Sequence, residues 1–539
     1  MDIFLDLKRI LLVLGKLLKF GFFPFASYLP FMPYRNLTVA RRLRLVLEEL
    51  GLTYLKLGQF MALRYDILPP EICRELNLLF ESVPPMEFGQ ARAIVEAELG
   101  GPISQFYSSF PEEPIAAASV AQVHDARTIA GERVAVKVQR GGLAPIFRAD
   151  IRNLKRLGRL VEVLGPAGKL SIRGLFVQFE SWTLRELDFT VEGRTAERVR
   201  KDAQPWVVIP QVKWELTTTR VLTMEFIDGV SAADVGKRRI QGTLATIPDK
   251  LPGFDLATAL DNFARASLTQ LFVVGFFHGD PHPGNIVFLP ENRVAFLDFG
   301  IFGELSAEER EGVFGQIENL ALGNLVRSFR FYALQVAVTE ETDMESFRRD
   351  CLEVLGRWYR ALQNPDSPVE ERHLAKYTGE MIDVSRRNGL RYDLSYLLFW
   401  RALNNLNGAL WHVDPNFDML GELRTFFKEI RPGNLARLRT LLSDRGWQES
   451  WKELGKEGPG SVSAGLDETA RGRPLVEVTW VMAPVHRRRE STHARRLGIA
   501  LVSLSFALLI AAPTVQFPMR LAAAPLFAGC LVALFWWRR

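Results

Sequence analysis

The chain has 539 residues, 48% of them hydrophobic and 24% charged, the proportions of ordinary globular domains. At roughly 150 residues per domain it holds two or three folding units, and a chain disordered throughout, a collagen-like repeat and a coiled-coil rod are excluded. Lys and Arg number 67 against 62 Asp and Glu, a net charge of +5 too small and too evenly spread for nucleic-acid binding. Cys73, Cys351 and Cys530 stand too far apart for a disulfide framework or a cysteine zinc site, which fits a reducing compartment.

The first twenty residues are not expected to be a cleaved signal peptide, because they open on Asp2 and are punctuated by Lys8, Arg9, Lys16 and Lys19. On a helical wheel those cations fall with Asp2 and Asp6. Ile3, Phe4, Leu7, Ile10, Leu11, Leu14, Leu17 and Leu18 fall opposite, while Leu5, Leu12 and Val13 intrude on the polar side. With the aromatic stretch FGFFPFASYLPF after it, this segment (1–33) suits a membrane surface. A helix that caps a core or pairs with a partner helix fits the pattern equally.

Residues 36–100 read as mostly helical, with proline breaks at 69–70 and 84–85. Two strand-like runs, VAQVHDAR and RVAVKVQ, flank a turn at Ala130-Gly131. Helix is expected over 145–203, strands over 207–215 and 220–227, and a long helix over 255–275. After the loop HGDPHPGN come the short strands IVFL and VAFLDFG, then helix from Ser306 to about 450. A Gly-, Ser- and Pro-rich linker spans roughly 455–474.

At the other end, 497–515 and 521–537 carry no charge. At about 1.5 Å per residue each run reaches roughly 25–29 Å, enough for a thin hydrocarbon core. Arg487, Arg488, Arg489, Arg495, Arg496, Arg538 and Arg539 flank the pair. The positive-inside rule then keeps both flanks cytoplasmic around a two-helix transmembrane hairpin.

The chemistry is concentrated in His278-Gly-Asp280-Pro-His-Pro-Gly-Asn285, the H-x-D-x-x-x-x-N spacing of a kinase catalytic loop, and in Asp298-Phe299-Gly300 downstream. Asp298 would give a carboxylate and Asn285 an amide oxygen to Mg²⁺ on the phosphates of ATP. Asp280 would orient or deprotonate an attacking hydroxyl. Upstream, Val134-Ala-Val-Lys137 sits in a strand, where the ammonium of Lys137 can meet the α/β-phosphates. Its expected partner is Glu186, with Glu192 and Glu180 as rivals. The order of parts predicts an α+β, protein-kinase-like bilobal fold: a small mixed lobe with an antiparallel sheet (111–228) and a large helical lobe (229–454). A helical extension (34–110) precedes it. Linker and basic flank (455–496) and the transmembrane hairpin (497–539) come after it.

Two departures stand out. Where a glycine-rich phosphate loop belongs, the chain has Ala116, Ala117, Ala118 and Ser119, and alanine's Cβ holds the backbone further from phosphate oxygens. After Gly303-Glu304 the sequence passes directly to Ser306-Ala-Glu-Glu309, a helix-start pattern. No activation segment ending in Ala-Pro-Glu intervenes, and ordinary protein kinase activity is disfavoured.

Leu55-Lys56-Leu-Gly58-Gln59-Phe with Arg64-Tyr-Asp66-Ile-Leu-Pro-Pro70-Glu71, the alanine-rich loop, Val-Ala-Val-Lys137, Glu186-Leu-Asp188-Phe, the Asp280/Asn285 loop and Asp298-Phe-Gly occur in order over about 35–310. Together they resemble the UbiB/ADCK (AarF) family of atypical protein-kinase-like proteins. The resemblance implies ATP hydrolysis or unorthodox phosphoryl transfer, with Mg²⁺, in support of ubiquinone synthesis at the bacterial inner membrane. It implies that Lys56 and Gln59 reach into the nucleotide pocket and that Ala116 to Ser119 cover the phosphates. Glu225 and Ile227 are carried with Glu186 as further nucleotide contacts. Membrane lipid, prenylquinone intermediates and other quinone-synthesis proteins are the implied partners. Without the family, a helical Lys and Gln are ordinary surface residues, and Gly58 hints only at close packing against another backbone. Two other classes stay open: a small-molecule phosphotransferase of the aminoglycoside or choline kinase type, and a nucleotide-binding pseudokinase scaffold.

Overall fold

The computed structural model describes residues 2–20 and 37–442, apart from 63, 65–67, 81–83, 119, 165–171, 248–249, 338–342 and 365. The 455–474 linker, both uncharged C-terminal runs and Ser119 lie outside these. Among the described residues no helix is long and apolar enough to cross a membrane. The chain divides into two units, Met1–Arg159 with Ser171–Arg437, and Leu160–Leu170 with Leu438–Arg539. The first unit holds the sheets and the candidate site.

Four helices open it: α1 (Asp2–Lys19), α2 (Val39–Leu50), α3 (Leu52–Ala62) and α4 (Pro70–Asn77). Thr38 caps α2, and Gly51 at φ +90° makes the tight turn into α3. The expected proline break becomes a helix start, because Pro70 at the first position gives up no hydrogen bond. Val46, Leu47, Leu50, Tyr54, Phe60 and Leu76 form a small core of their own. Adding a Cβ at Gly58 would bring it 2.3 Å from Leu79 Cδ1 and 2.9 Å from Leu47 Cδ1. The close packing is therefore against two leucine side chains rather than another backbone.

The docking of α1 reverses the simple wheel. Its polar side faces the protein: buried Asp6 accepts from Arg152 and Arg156, and Arg9 forms a bidentate pair with Asp150, all on α6 (Leu143–Leu164). Leu12 and Val13, the residues that spoil the amphipathicity, pack into the small core beside Leu17. The outward face carries Phe4, Leu7, Leu11, Leu14 and Leu18, from 44% to 78% exposed.

Next comes α5 (Phe88–Leu99), on the back of a five-stranded sheet in which β1 (Tyr107–Ser109), β3 (Ala121–Thr128), β4 (Arg133–Gln139) and β6 (Val221–Glu225) lie in that order, with β2 (Ala116–Ala117) on β3. Alternation in β4 sends Val134, Val136 and Val138 under α5, against Ile94 and Val95. Lys137 is left on the opposite face. The expected 145–203 helix is three: α6, α7 (Ile172–Glu186) and α8 (Phe189–Lys201).

The expected 207–215 strand divides. Val207–Val208 (β5) runs parallel to β10 (Val294–Phe296) in a second sheet, ordered β5-β10-β9-β7. Val212 bridges back to Met224 of the first sheet. Between the two lies Pro210, which has no N–H to donate to a ladder, so the run cannot continue as one strand. The second sheet also holds β7 (Val230–Ser231) and β9 (Ile286–Phe288).

Beyond it the protein is helical, as expected, from α9 (Ala232–Ile240) and α10 (Leu256–Thr269) to α11 (Ala307–Ala321), α12 (Leu325–Leu334), α13 (Met344–Gln363), α14 (Val369–Arg372), α15 (Leu374–Arg387), α16 (Leu394–Val413) and α17 (Met419–Leu442). Two short antiparallel ladders interrupt the helices: β8 (Phe276–His278) with β11 (Phe302–Glu304), and β12 (Val336–Ala337) with β13 (Arg391–Tyr392). The largest core runs through this half, with Phe263, Phe277, Phe399, Leu406 and Leu410 among its most buried members.

Candidate active site

Lys137 projects from the middle of β4, between Val123 of β3 and Leu222 of β6. Its Nζ donates to both carboxylate oxygens of Glu192, at 2.7 and 2.9 Å, and lies 3.8 Å from Asp298 Oδ1. Burial opposes the ammonium, but Glu192 and then Asp298 outweigh it and hold the Lys137 pKa above the ordinary lysine value. For Asp298 burial likewise opposes charge, and Lys137, His278 and the Gly300 N–H pull its pKa down to about 2. Both groups stay ionised at neutral pH.

The pairing of Lys137 corrects the sequence expectation. Glu186, the expected partner, is the last residue of α7 and forms an ion pair with Lys56. Asp188 then breaks the helix and caps α8 through the Thr190 N–H at 3.0 Å. That places Glu192 one turn into the new helix, facing β4. The Asp-x-Thr capping pattern is the sequence signal that separates the two glutamates.

Lys56 is buried and reaches the site's edge through Glu186. Gln59, expected in the nucleotide pocket, instead donates its amide to the Leu79 carbonyl at 3.0 Å and is buried there. Ala116 and Ala117 form β2, and the Ala118 N–H closes a turn on the Ala121 carbonyl at 2.8 Å. Arg140 fastens this turn by donating to the carbonyls of Ala118 and Pro84. Glu225 is exposed at the end of β6 with its backbone tied to Gln211, and Ile227 packs against Val287, Leu289 and Ala295 in the connection after β6.

Asn285 and Asp298 come together through β9 and β10. Ile286 pairs with Phe296, and the Leu297 N–H donates to the Asn285 carbonyl at 3.0 Å. One carboxylate and one amide at neighbouring strand ends suit Mg²⁺, which takes few protein ligands and completes its shell with water and phosphate. Among the described residues no cluster of three or more His, Cys, Asp or Glu is placed to hold a metal.

Asp280 is anchored on both sides. Its N–H donates to His278 Nδ1 at 3.1 Å, and its carboxylate accepts from Arg401 and Asn405. The neutral His278 ring therefore carries its proton on Nε2. Burial lowers its pKa. Nε2 and Ser267 Oγ are buried without partners among the described residues, beside a cavity of about 10 Å³ that has room for one water. Sequence reasoning missed Arg401, Asn405 and Arg140, since none belongs to a spaced motif.

After Asp298-Phe-Gly the chain enters β11, which pairs with β8 directly ahead of the catalytic loop. Ser306 and Glu309 then form a reciprocal capping box that starts α11. Arg198 of α8 donates to Glu304 of β11 at 2.6 Å and lies over the Phe276 ring. The helix bearing Glu192 is thereby tied to the strand that comes after Asp298.

Residues 78–327 match the ABC1 atypical kinase-like domain family. This part of the chain is similar to that domain family. Its fold is accordingly kinase-like, with mixed helix and sheet. It is 32% identical over 395 residues to an uncharacterized protein of Synechocystis, covering 72% of this chain and 65% of that one. It is 30% identical over 398 residues to the chloroplastic protein Activity of bc1 complex kinase 7 of Arabidopsis thaliana, covering 74% and 55%. A probable protein kinase UbiB of Sodalis glossinidius is 29% identical over 529 residues and 92% of each chain. The chain thus spans 55% to 65% of the first two relatives' own length and 92% of the UbiB protein.

Proposed function

We propose that this protein binds Mg-ATP between Lys137 and Asp298 and uses it for hydrolysis or phosphoryl transfer at a membrane, in support of prenylquinone synthesis. The observation that carries the proposal is the convergence of β4, α8 and the end of β10. Lys137 Nζ sits 2.7 Å from Glu192 and 3.8 Å from Asp298. An ammonium fixed by one carboxylate and a second carboxylate beside it are what a metal-bound triphosphate requires. When bound, Mg²⁺ would neutralise phosphate charge; Asp298 and Asn285 would hold it, Lys137 would orient the phosphates, and Asp280 would receive the acceptor.

The direct run from Asp298-Phe-Gly into β11 supports a substrate other than a docked protein segment. The apolar ridge of α1 supports a lipid surface, as do the two uncharged C-terminal runs. Resemblance to UbiB proteins supports the quinone assignment.

The test is Mg-ATP binding by the full chain. Asp298→Asn should weaken it more than tenfold, and equal binding by the variant removes Asp298 as a metal ligand. Deleting the gene should lower isoprenoid quinone; an unchanged quinone profile beside intact Mg-ATP turnover would favour a small-molecule phosphotransferase.

A further inference from the structure

Asp280 is held by an element outside the ABC1 match. Arg401 and Asn405 lie one turn apart on α16 and project from one face of it. Arg401 Nη2 donates to Asp280 Oδ2 at 3.0 Å, and Asn405 Nδ2 donates to Oδ1 at 2.7 Å. The Arg401 side chain is 11% exposed and that of Asp280 22%. Around these two residues α16 is rigidly seated, with Phe399, Trp400, Ala402, Leu403 and Leu406 all buried. One donor on each oxygen fixes the plane of the carboxylate, while the His278 Nδ1 contact fixes the backbone beneath it. A carboxylate has about four acceptor sites, so the two donors leave it able to receive an incoming O–H.

Resting on the nucleotide reading above, we propose that Arg401 and Asn405 are positioning residues for the phosphoryl acceptor: they set the one orientation in which Asp280 can receive an acceptor hydroxyl or water. In the step they serve, the acceptor oxygen bonds to the γ-phosphorus while the bond to the β–γ bridging oxygen breaks. ADP leaves with that electron pair, and the acceptor proton passes to Asp280 and then to water. A clamp of this kind acts on turnover and leaves nucleotide affinity alone, because both donors meet Asp280, the group that faces the acceptor, while Lys137 and Asp298 hold the nucleotide.

The test uses the full chain, Mg-ATP titration and phosphate release. Arg401→Met and Asn405→Ala should each lower kcat by about 10- to 100-fold, with the Mg-ATP Kd within about twofold of wild type. Arg401→Lys should recover part of the loss. In an Asp280→Asn background, adding Arg401→Met should change kcat less than about twofold, because the group it positions is already gone. Wild-type kcat in both single variants, or an undiminished Arg401→Met effect in the Asp280→Asn background, overturns the proposal. So does a wild-type chain that binds Mg-ATP and turns none over. A wild-type chain that binds no Mg-ATP overturns the nucleotide reading itself, a result separate from these. If Arg401→Met fails to fold, Arg401→Lys and Asn405→Ala decide the matter alone.

Discussion

Lys56 and Glu186 form a largely buried ion pair across 130 residues of sequence, fastening the Lys-x-Gly-Gln helix α3 to the end of α7. Glu186 in turn contributes to the electrostatic field that keeps Lys137 charged. The second Glu186 oxygen is buried without a partner among the described residues, so the pair depends on its single strong contact. Lys56→Met should destabilise the protein by about 3–5 kcal/mol, because it strands a desolvated carboxylate. Lys56→Met with Glu186→Gln should recover most of that loss in urea unfolding. Equal midpoints for the single and double variants would contradict the pairing.

The two glutamates should separate in nucleotide binding. Glu192→Gln removes the charge that orients Lys137, and Mg-ATP affinity should fall about tenfold or more. Glu186→Gln leaves the Lys137–Glu192 contacts in place and should cost far less. Isothermal titration of both variants gives the answer, and the reverse ranking would restore Glu186 as the lysine's partner.

Gly58→Ala tests the packing of α3. Alanine gains about 1 kcal/mol of helix propensity, but its Cβ overlaps buried Leu79 and Leu47, and overpacking costs about 1–3 kcal/mol. The net result should be a lower urea midpoint. A higher one would mean that both leucines can move aside.

Arg198 and Glu304 are largely exposed, 49% and 61%, so their pair should add less than about 1 kcal/mol to stability. Its role is to hold α8 against β11. Arg198→Met should leave the melting temperature nearly unchanged while weakening Mg-ATP binding severalfold. Unchanged affinity would show that α8 needs no such tie.

Burial keeps His278 neutral and its pKa below 6.5. Below pH 6.5 the unfolded chain takes up a proton that the folded chain refuses, so stability falls as the pH drops through that window, at up to about 1.4 kcal/mol per pH unit. His124 and His373, also lowered by burial, act in the same direction. His278→Asn keeps an acceptor near the Nδ1 position and should flatten the decline in melting temperature between about pH 7 and 5.5. Parallel curves for wild type and variant would show that burial does not lower the His278 pKa in the fold.

What this protein's sequence determines alone is local. Strand alternation points Lys137 away from its valines, Pro70 starts a helix, Gly131 turns a hairpin, and the spacing of Asp280, Asn285 and Asp298 reflects a short loop between short strands. Each is settled by backbone geometry within a few residues. Tertiary structure decides which partners meet. Glu186 and Glu192 are both suitable helical glutamates, and the choice depends on the bend at Asp188 and on α3 arriving to claim Glu186. The α1 wheel separates its faces correctly, yet salt bridges to α6, 141 to 150 residues away, turn the polar side inward and the leucine ridge out. Arg401 and Asn405 reach Asp280 across 121 and 125 residues. Pairing at such separation is fixed by packing of the whole core, and no periodicity or motif in the chain encodes it.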